Sequence, residues 1–381
     1  MAKFPIDEFK ERTTPFYYYD LGLLQATLDA LNTDIGQSPF CVHYALKANP
    51  NPAILKPIVA AGLGADCVSM GEIRAALEAG FHPESIFFAG VGKSDTEIHY
   101  ALDSRIGCFN VESLPELELI AEMAADKSVV ANVALRVNPN IDAHTHHYIT
   151  TGLEENKFGI ALEMLDDAVA LCLRKPNLRL YGLHFHIGSQ ITDLEPYRIL
   201  CRRINKLVAD YAAKGVRFSA LNVGGGLGVD YDDPDTWPIP DFKAFFDVFR
   251  NNLDLVPGQQ LHFELGRSLV AQCGSLITKV LYVKEGVGKK FVIVDAGMTD
   301  LIRPALYQAH HKIENITSTA TENEVYDVVG PICESSDCFG TDETLPLTRR
   351  GDLLAMRSAG AYGEIMAMGY NMRPLPTSFA R

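Results

Sequence analysis

The chain is poor in the features that mark several protein classes. Tryptophan occurs once in 381 residues, and Lys and Arg together number 34 against 48 Asp and Glu. The resulting net charge of −14 opposes binding to nucleic acid or to an anionic membrane surface, since both require clustered positive charge. No apolar run approaches the roughly 20 residues needed to cross a bilayer. The opening Met-Ala-Lys-Phe-Pro-Ile-Asp lacks the apolar centre of a secretory signal. The cysteines, at 41, 67, 108, 172, 201, 273, 333 and 338, include no Cys-x-x-Cys pair. That argues against a zinc ribbon or a disulfide framework and for a reducing cytoplasm. There is no internal repeat and no low-complexity segment.

What is present is a regular alternation. β-rich runs at 41–46, 64–68, 85–89, 106–110, 129–137, 180–187, 218–223 and 260–265 are separated by amphipathic helical patterns. Ser113 and Asp241 are suited to cap two of those helices. Eight strands alternating with helices predict an α/β fold, a (β/α)8 TIM-like barrel, rather than an open doubly wound sheet. After residue 270 the pattern changes to Leu276–Val283, Phe291–Asp295 and further β-like runs at 325–329 and 352–357, which predict a mostly antiparallel β domain. Phe16-Tyr17-Tyr18-Tyr19 reads as a strand that joins it from the N-terminal side. The expected division is therefore a barrel over 30–268 and a discontinuous β domain from 1–29 and 269–381.

In such a barrel the chemistry collects at the C-terminal ends of the strands. Lys47 follows the first run, Asp66 ends the second, Arg136 the fifth, His186 the sixth, Gly224-Gly225-Gly226 follow the seventh, and Glu264 ends the eighth. An amine where a buried strand breaks into a loop is expected to be poorly solvated, which favours its free-base form and imine chemistry with an aldehyde. The glycines let backbone N–H groups approach a phosphate, but the pattern is neither Gly-x-Gly-x-x-Gly nor a P-loop with its lysine. Of His184 and His186, only one is expected to face the barrel interior, where it would stack on a planar ring. His144, His146 and His147 lack an acidic or cysteine partner at a ligand spacing and are not read as a metal site. His310 and His311 read as a solvated pair.

Five motifs in this order resemble the fold-type III pyridoxal-phosphate decarboxylases over nearly the whole chain, and most of all the branch acting on diaminopimelate. They are Tyr44-Ala45-Leu46-Lys47-Ala48-Asn49, His184-Phe185-His186-Ile187-Gly188-Ser189-Gln190, the triple glycine, Glu264-Leu265-Gly266-Arg267-Ser268 and Cys333-Glu334-Ser335-Ser336-Asp337. The resemblance implies pyridoxal 5'-phosphate carried covalently by Lys47, with His186 on the ring face and Asp66 and Arg136 in the layer around it. Glu264 would pair with the pyridine nitrogen. Gly225, Gly226 and the backbone of Gly266 and Arg267 would bind the phosphate, Ser189 would also contact the cofactor, and Tyr362 would reach it from the β domain. It also implies that Arg267, Arg303 and Tyr307 bind a distal carboxylate, where guanidinium forks suit bidentate contact. Glu334 would bind the distal ammonium and Cys333 would donate the proton, with Tyr362 also touching substrate. The implied reaction is decarboxylation of meso-2,6-diaminopimelate to L-lysine in a cytoplasmic homodimer, with Cys333 contributed by the second copy.

Leu265 stands where that family usually has proline, which would leave the local backbone freer. The alternative reading is a related decarboxylase acting on ornithine, arginine or a carboxylated polyamine such as carboxynorspermidine; two arginines favour a second carboxylate over a cationic tail. An alanine-racemase-like enzyme would need a tyrosine base opposite the lysine, and a simple cofactor carrier would not need the long C-terminal region.

Overall fold

The computed structural model describes residues 4–139, 141 and 157–381. The histidine-rich run at 142–147 lies outside them. The chain forms two compact units, one from Leu28–Gly228 and Asp241–Gly266, the other from Met1–Thr27, Val229–Pro240 and Arg267–Arg381.

The first unit is a closed parallel barrel. Its strands, after β1 (Phe16–Tyr19) of the other unit, are β2 (Phe40–Ala45), β3 (Gly64–Cys67), β4 (Ile86–Phe88), β5 (Cys108–Val111), β6 (Ala131–Arg136), β7 (Leu178–His184), β8 (Ala220–Asn222) and β9 (Gln260–Leu265). β2 closes the ring on β9, with His43 opposite Glu264 and Tyr44 opposite Leu265. Most strand residues are buried, as expected where helices cover a parallel sheet. The helices begin where short polar side chains can satisfy the first free N–H groups. Ser113 accepts from the Glu116 N–H and Asp241 from the Ala244 N–H, as the sequence predicts. The helix Phe242–Asn252 places Phe245, Phe246 and Phe249 around Phe263 of β9, with ring centres 5.0–5.6 Å apart.

The lower interior of the barrel is polar. His43 and His262 meet at 2.8 Å, Phe87 lies 4.1 Å from the His43 ring, and Tyr181 approaches the far side of His262. Leu265 ends β9 fully buried and in register, so the departure from proline is absorbed into the barrel wall rather than loosening the backbone.

The second unit is a β-sheet built from β10 (Gly274–Glu285), β11 (Lys290–Val294), β12 (Ile313–Asn315), β13 (Asn323–Val329), β14 (Cys338–Pro346), β15 (Leu353–Met356) and β16 (Thr377–Ala380) together with β1. Its order is β12-β15-β10-β11-β13-β14, with β1 on β10 and β16 on β1. Two pairs, β11 with β13 and β1 with β16, run parallel; the rest are antiparallel. Phe9, Phe16, Tyr18, Ile277, Leu353 and Ala355 form one of its cores. The helix Leu21–Ile35 was not foreseen from the alternation, because it precedes the first barrel strand.

Candidate active site

In the barrel unit the predicted rim residues converge. Lys47 sits on a single 3-10 turn, Leu46–Ala48, directly after β2, with Nζ 3.9 Å from Asp66. Its side chain is 44 % exposed, so the expectation of a poorly solvated amine is not met: the turn lifts Lys47 off the buried strand and opens it to the rim. Asp66 is fully enclosed, and neither carboxyl oxygen has a hydrogen-bond partner among the described residues. Burial, then the nearby charge of Glu264, raises its pKa well above the usual carboxylate range, against the pull of Lys47.

Glu264 is held very differently. Its Oε1 accepts from the side-chain amides of Asn110 at 2.9 Å and Asn222 at 2.7 Å, and its Oε2 lies 3.2 Å from His184 Nε2. Burial favours the neutral acid, but the hydrogen bond to His184 and the nearby charge of Lys47 outweigh it and hold this carboxyl well below the usual range. A carboxylate surrounded by donors keeps its negative charge ready for a further N–H.

His186 lies two residues beyond the end of β7, where its Nδ1 accepts from the Gly225 N–H at 3.3 Å. Burial, then Arg136 and Lys47, depresses its pKa well below the ordinary histidine value, so the ring is neutral. The expectation that only one of the two histidines faces inward is not met: His184 Nε2 lies 3.2 Å from Glu264 and His186 Nδ1 meets the Gly225 N–H. They are two positions apart, and a pleated strand places such residues on the same side. Arg136, last in β6, pairs with Glu112 at 2.5 Å and stacks on Phe158 at 4.6 Å. Glu112 also takes the Gly159 N–H.

The glycines are fixed by close approach. A Cβ on Gly225 would overlap the carbonyl oxygen of Glu264, and one on Gly226, at φ +102°, would stand 2.5 Å from the Gly188 carbonyl oxygen. Ser189 follows Gly188 on the turn after β7, half-buried, and a Cβ on Gly266 would stand 3.1 Å from the Ala48 methyl.

The β unit assembles a second group around Tyr231. Arg267 Nη1 donates to the Tyr231 hydroxyl at 2.6 Å, and its guanidinium lies 5.0 Å from the ring centre of Tyr362. Arg303 lies 4.9 Å over the Tyr231 ring. Tyr307 ends the same short helix, Arg303–Tyr307. Tyr362 adopts φ +57°, a left-handed conformation that costs an aromatic residue energy. His311 is buried, not solvated: Arg303 donates to its Nε2 at 2.8 Å, and burial depresses its pKa to about 3. Only His310 remains at the surface, 3.4 Å from Asp232.

Cys333 and Glu334 stand in a separate loop of this unit. Cys333 is the exposed member of the eight cysteines, and its N–H donates to Asn371. Glu334 accepts from the Tyr370 hydroxyl at 2.7 Å. Asp337 is instead a buried brace, accepting the Met298 and Ile332 N–H groups at 2.6 Å each.

Sequence reasoning missed Tyr231, Asn110, Asn222, Glu112 and the role of His184. Asn110 and Asn222 occupy strand C-terminal ends and were reachable by the rule that found Glu264. Tyr231 carried no motif signal.

The donor set fits a phosphorylated pyridine aldehyde: an amine on the rim, an anion held by donors, a neutral imidazole, and glycine turns that admit no side chain. Residues 21–271 match the family model described as pyridoxal-dependent decarboxylase, pyridoxal binding domain. The chain is 58% identical over 377 residues to diaminopimelate decarboxylase of Bacteroides thetaiotaomicron, covering 99% of this chain and 97% of the relative. It is similar to the crystal structure of diaminopimelate decarboxylase from Helicobacter pylori complexed with L-lysine, with a TM-score of 0.93 and 41% identity, over 99% of this chain and 93% of that one. The M. jannaschii diaminopimelate decarboxylase in co-complex with L-lysine matches with a TM-score of 0.91 and 36% identity, over 99% and 89%.

Proposed function

The chain belongs to the pyridoxal-dependent decarboxylases, within the diaminopimelate decarboxylase branch, and from that premise we propose how its own residues carry the reaction. It decarboxylates meso-2,6-diaminopimelate to L-lysine and carbon dioxide with pyridoxal 5'-phosphate as cofactor. When bound, that cofactor supplies an electron sink for the pair released as carbon dioxide leaves.

Lys47 would hold the cofactor and exchange with the substrate amine, an exchange that its open position on the rim favours. Glu264 would hold a proton on the ring nitrogen; its three donors favour the anionic state that this requires. His186, neutral and steered by the Gly225 N–H, would cover one ring face. With that N–H engaged, the phosphate would take its donors from Gly226, Ser189 and the backbone of Gly266 and Arg267, with Gly225 contributing close approach. Asp66 and Arg136 would support this layer, and Tyr362 would touch both cofactor and substrate.

Arg267, Arg303 and Tyr307 would receive the distal carboxylate. The observation that carries this reading is Arg303: a buried guanidinium with no ion pair among the described residues, braced by uncharged Tyr231 and His311. A buried cation without a counter-charge is costly, and an incoming carboxylate offsets that cost. Glu334 would take the distal ammonium. Cys333 would protonate Cα, supplied by a second copy of the chain; its exposure beside Glu334 supports that assignment. The homodimer is part of this proposal. So is a cytoplasmic location, which the eight free thiols support. Among the described residues no helix is long and apolar enough to cross a membrane.

Release of carbon dioxide from meso-diaminopimelate, L-ornithine, L-arginine and carboxynorspermidine, measured side by side, tests the substrate. The expected result is turnover of meso-diaminopimelate alone. Activity confined to substrates with a cationic tail would transfer the chain to the alternative decarboxylases.

A further inference from the structure

The support behind Arg303 has a chemical logic of its own. His311 is 1 % exposed, and its Nδ1 lies 2.8 Å from the carbonyl oxygen of Arg357. A carbonyl can only accept, so Nδ1 carries the proton and Nε2 is the bare nitrogen that accepts from Arg303 Nη1. The imidazole is clamped on its other sides. Tyr231 meets it edge-on at 5.1 Å, and the Arg357 N–H donates to the Lys312 carbonyl, tying the two backbone segments together. Arg357 is itself anchored by ion pairs to Asp235 at 2.9 Å and Glu314 at 2.8 Å.

The acidic residues of this neighbourhood thus neutralise Arg357, while Arg303 is given a neutral acceptor. A carboxylate in place of His311 would position the guanidinium equally well but would cancel its charge. A neutral acceptor fixes the geometry and leaves the full charge for a ligand. We propose that His311 is a positioning residue, locked as the Nδ1–H tautomer, that aims Arg303 at the distal carboxylate of the substrate without compensating it. This rests on the carboxylate-binding role given to Arg303 above.

Two substitutions separate this role from packing. His311→Gln keeps an acceptor oxygen near the Nε2 position, whereas His311→Asn keeps a polar group for the Arg357 carbonyl but ends short of Arg303. On the cofactor-loaded enzyme one measures kcat and KM for meso-diaminopimelate, inhibition by L-lysine and by cadaverine, and the melting midpoint. L-lysine carries the carboxylate and cadaverine does not. His311→Asn should raise KM and the L-lysine inhibition constant by about tenfold or more, with kcat within about threefold and cadaverine inhibition unchanged. His311→Gln should stay within about threefold of the parent throughout. An unchanged KM in His311→Asn, a loss confined to kcat, or equal weakening of L-lysine and cadaverine would overturn the proposal. So would matching losses in both variants with lowered melting, which would make His311 a packing residue. A parent enzyme that binds L-lysine no better than cadaverine would instead remove the role of Arg303, a separate failure.

Discussion

At the scale of single residues, the site works by giving chemically similar groups opposite surroundings. Asp66 and Glu264 are both buried carboxyls in one barrel, yet Asp66 has no hydrogen-bond donor among the described residues and Glu264 has three. The first is pushed towards the neutral acid and the second is held as an anion. Lys93 and Lys47 are set apart in the same way, one enclosed and one exposed. Lys93 donates to Gly90 O, Asn110 O and Glu116 Oε1, which uses all three ammonium hydrogens and makes it a structural brace. Lys47 is open on the rim, as the proposed exchange with a substrate amine requires. Glu264→Gln would turn an amide N–H₂ towards the same donors and the ring nitrogen, removing the fixed anion. Cofactor should remain attached, visible in the absorbance spectrum, while kcat falls by about 100-fold or more with KM little changed. Undiminished kcat in that variant would show that the charge at 264 is not used.

At the scale of elements, the strands of the barrel share a polar seam as well as hydrogen bonds. His43 of β2 and His262 of β9 are joined at 2.8 Å, and burial depresses them to about 4 and about 3. Both titrate near 6.5 when the chain unfolds. Between those values the unfolded state binds more protons, so their neutral pairing supports the fold above about pH 6.5 and fails as pH drops towards about 4. The slope from one such histidine is about 1.4 kcal/mol per pH unit. Denaturant midpoints followed from pH 7 to 4.5 should fall less steeply for His43→Gln than for the parent. Parallel curves would mean that this histidine is not held neutral. The elements themselves were legible where a local signal existed: the eight barrel runs, the Ser113 and Asp241 caps, and the Phe16–Tyr19 strand, which pairs with β10. What local pattern could not reveal was pairing at a distance. His311 looks solvated beside His310 until Arg357, 46 positions later, supplies its acceptor. Tyr231 has no motif, yet it supports two arginines from elsewhere in the chain.

At the scale of the whole molecule, the fold class and family were readable because five motifs recur in fixed order along a chain whose alternation dictates a barrel. The solvation of Lys47 was not, because a three-residue turn decides whether an amine at a strand end is enclosed or open. The exposed rim position of Lys47 beside Asp66 supports the proposal that it carries the cofactor, whereas Lys93 is enclosed and paired with Glu116. Borohydride reduction of the cofactor-loaded protein, followed by peptide mass mapping over the full chain, tests this directly. The pyridoxyl mass should appear on the peptide containing Lys47, and Lys47→Ala should lose both the mass and the visible absorbance. A pyridoxyl group found on Lys93 or any other lysine of the parent protein, with Lys47 unmodified, would contradict the account.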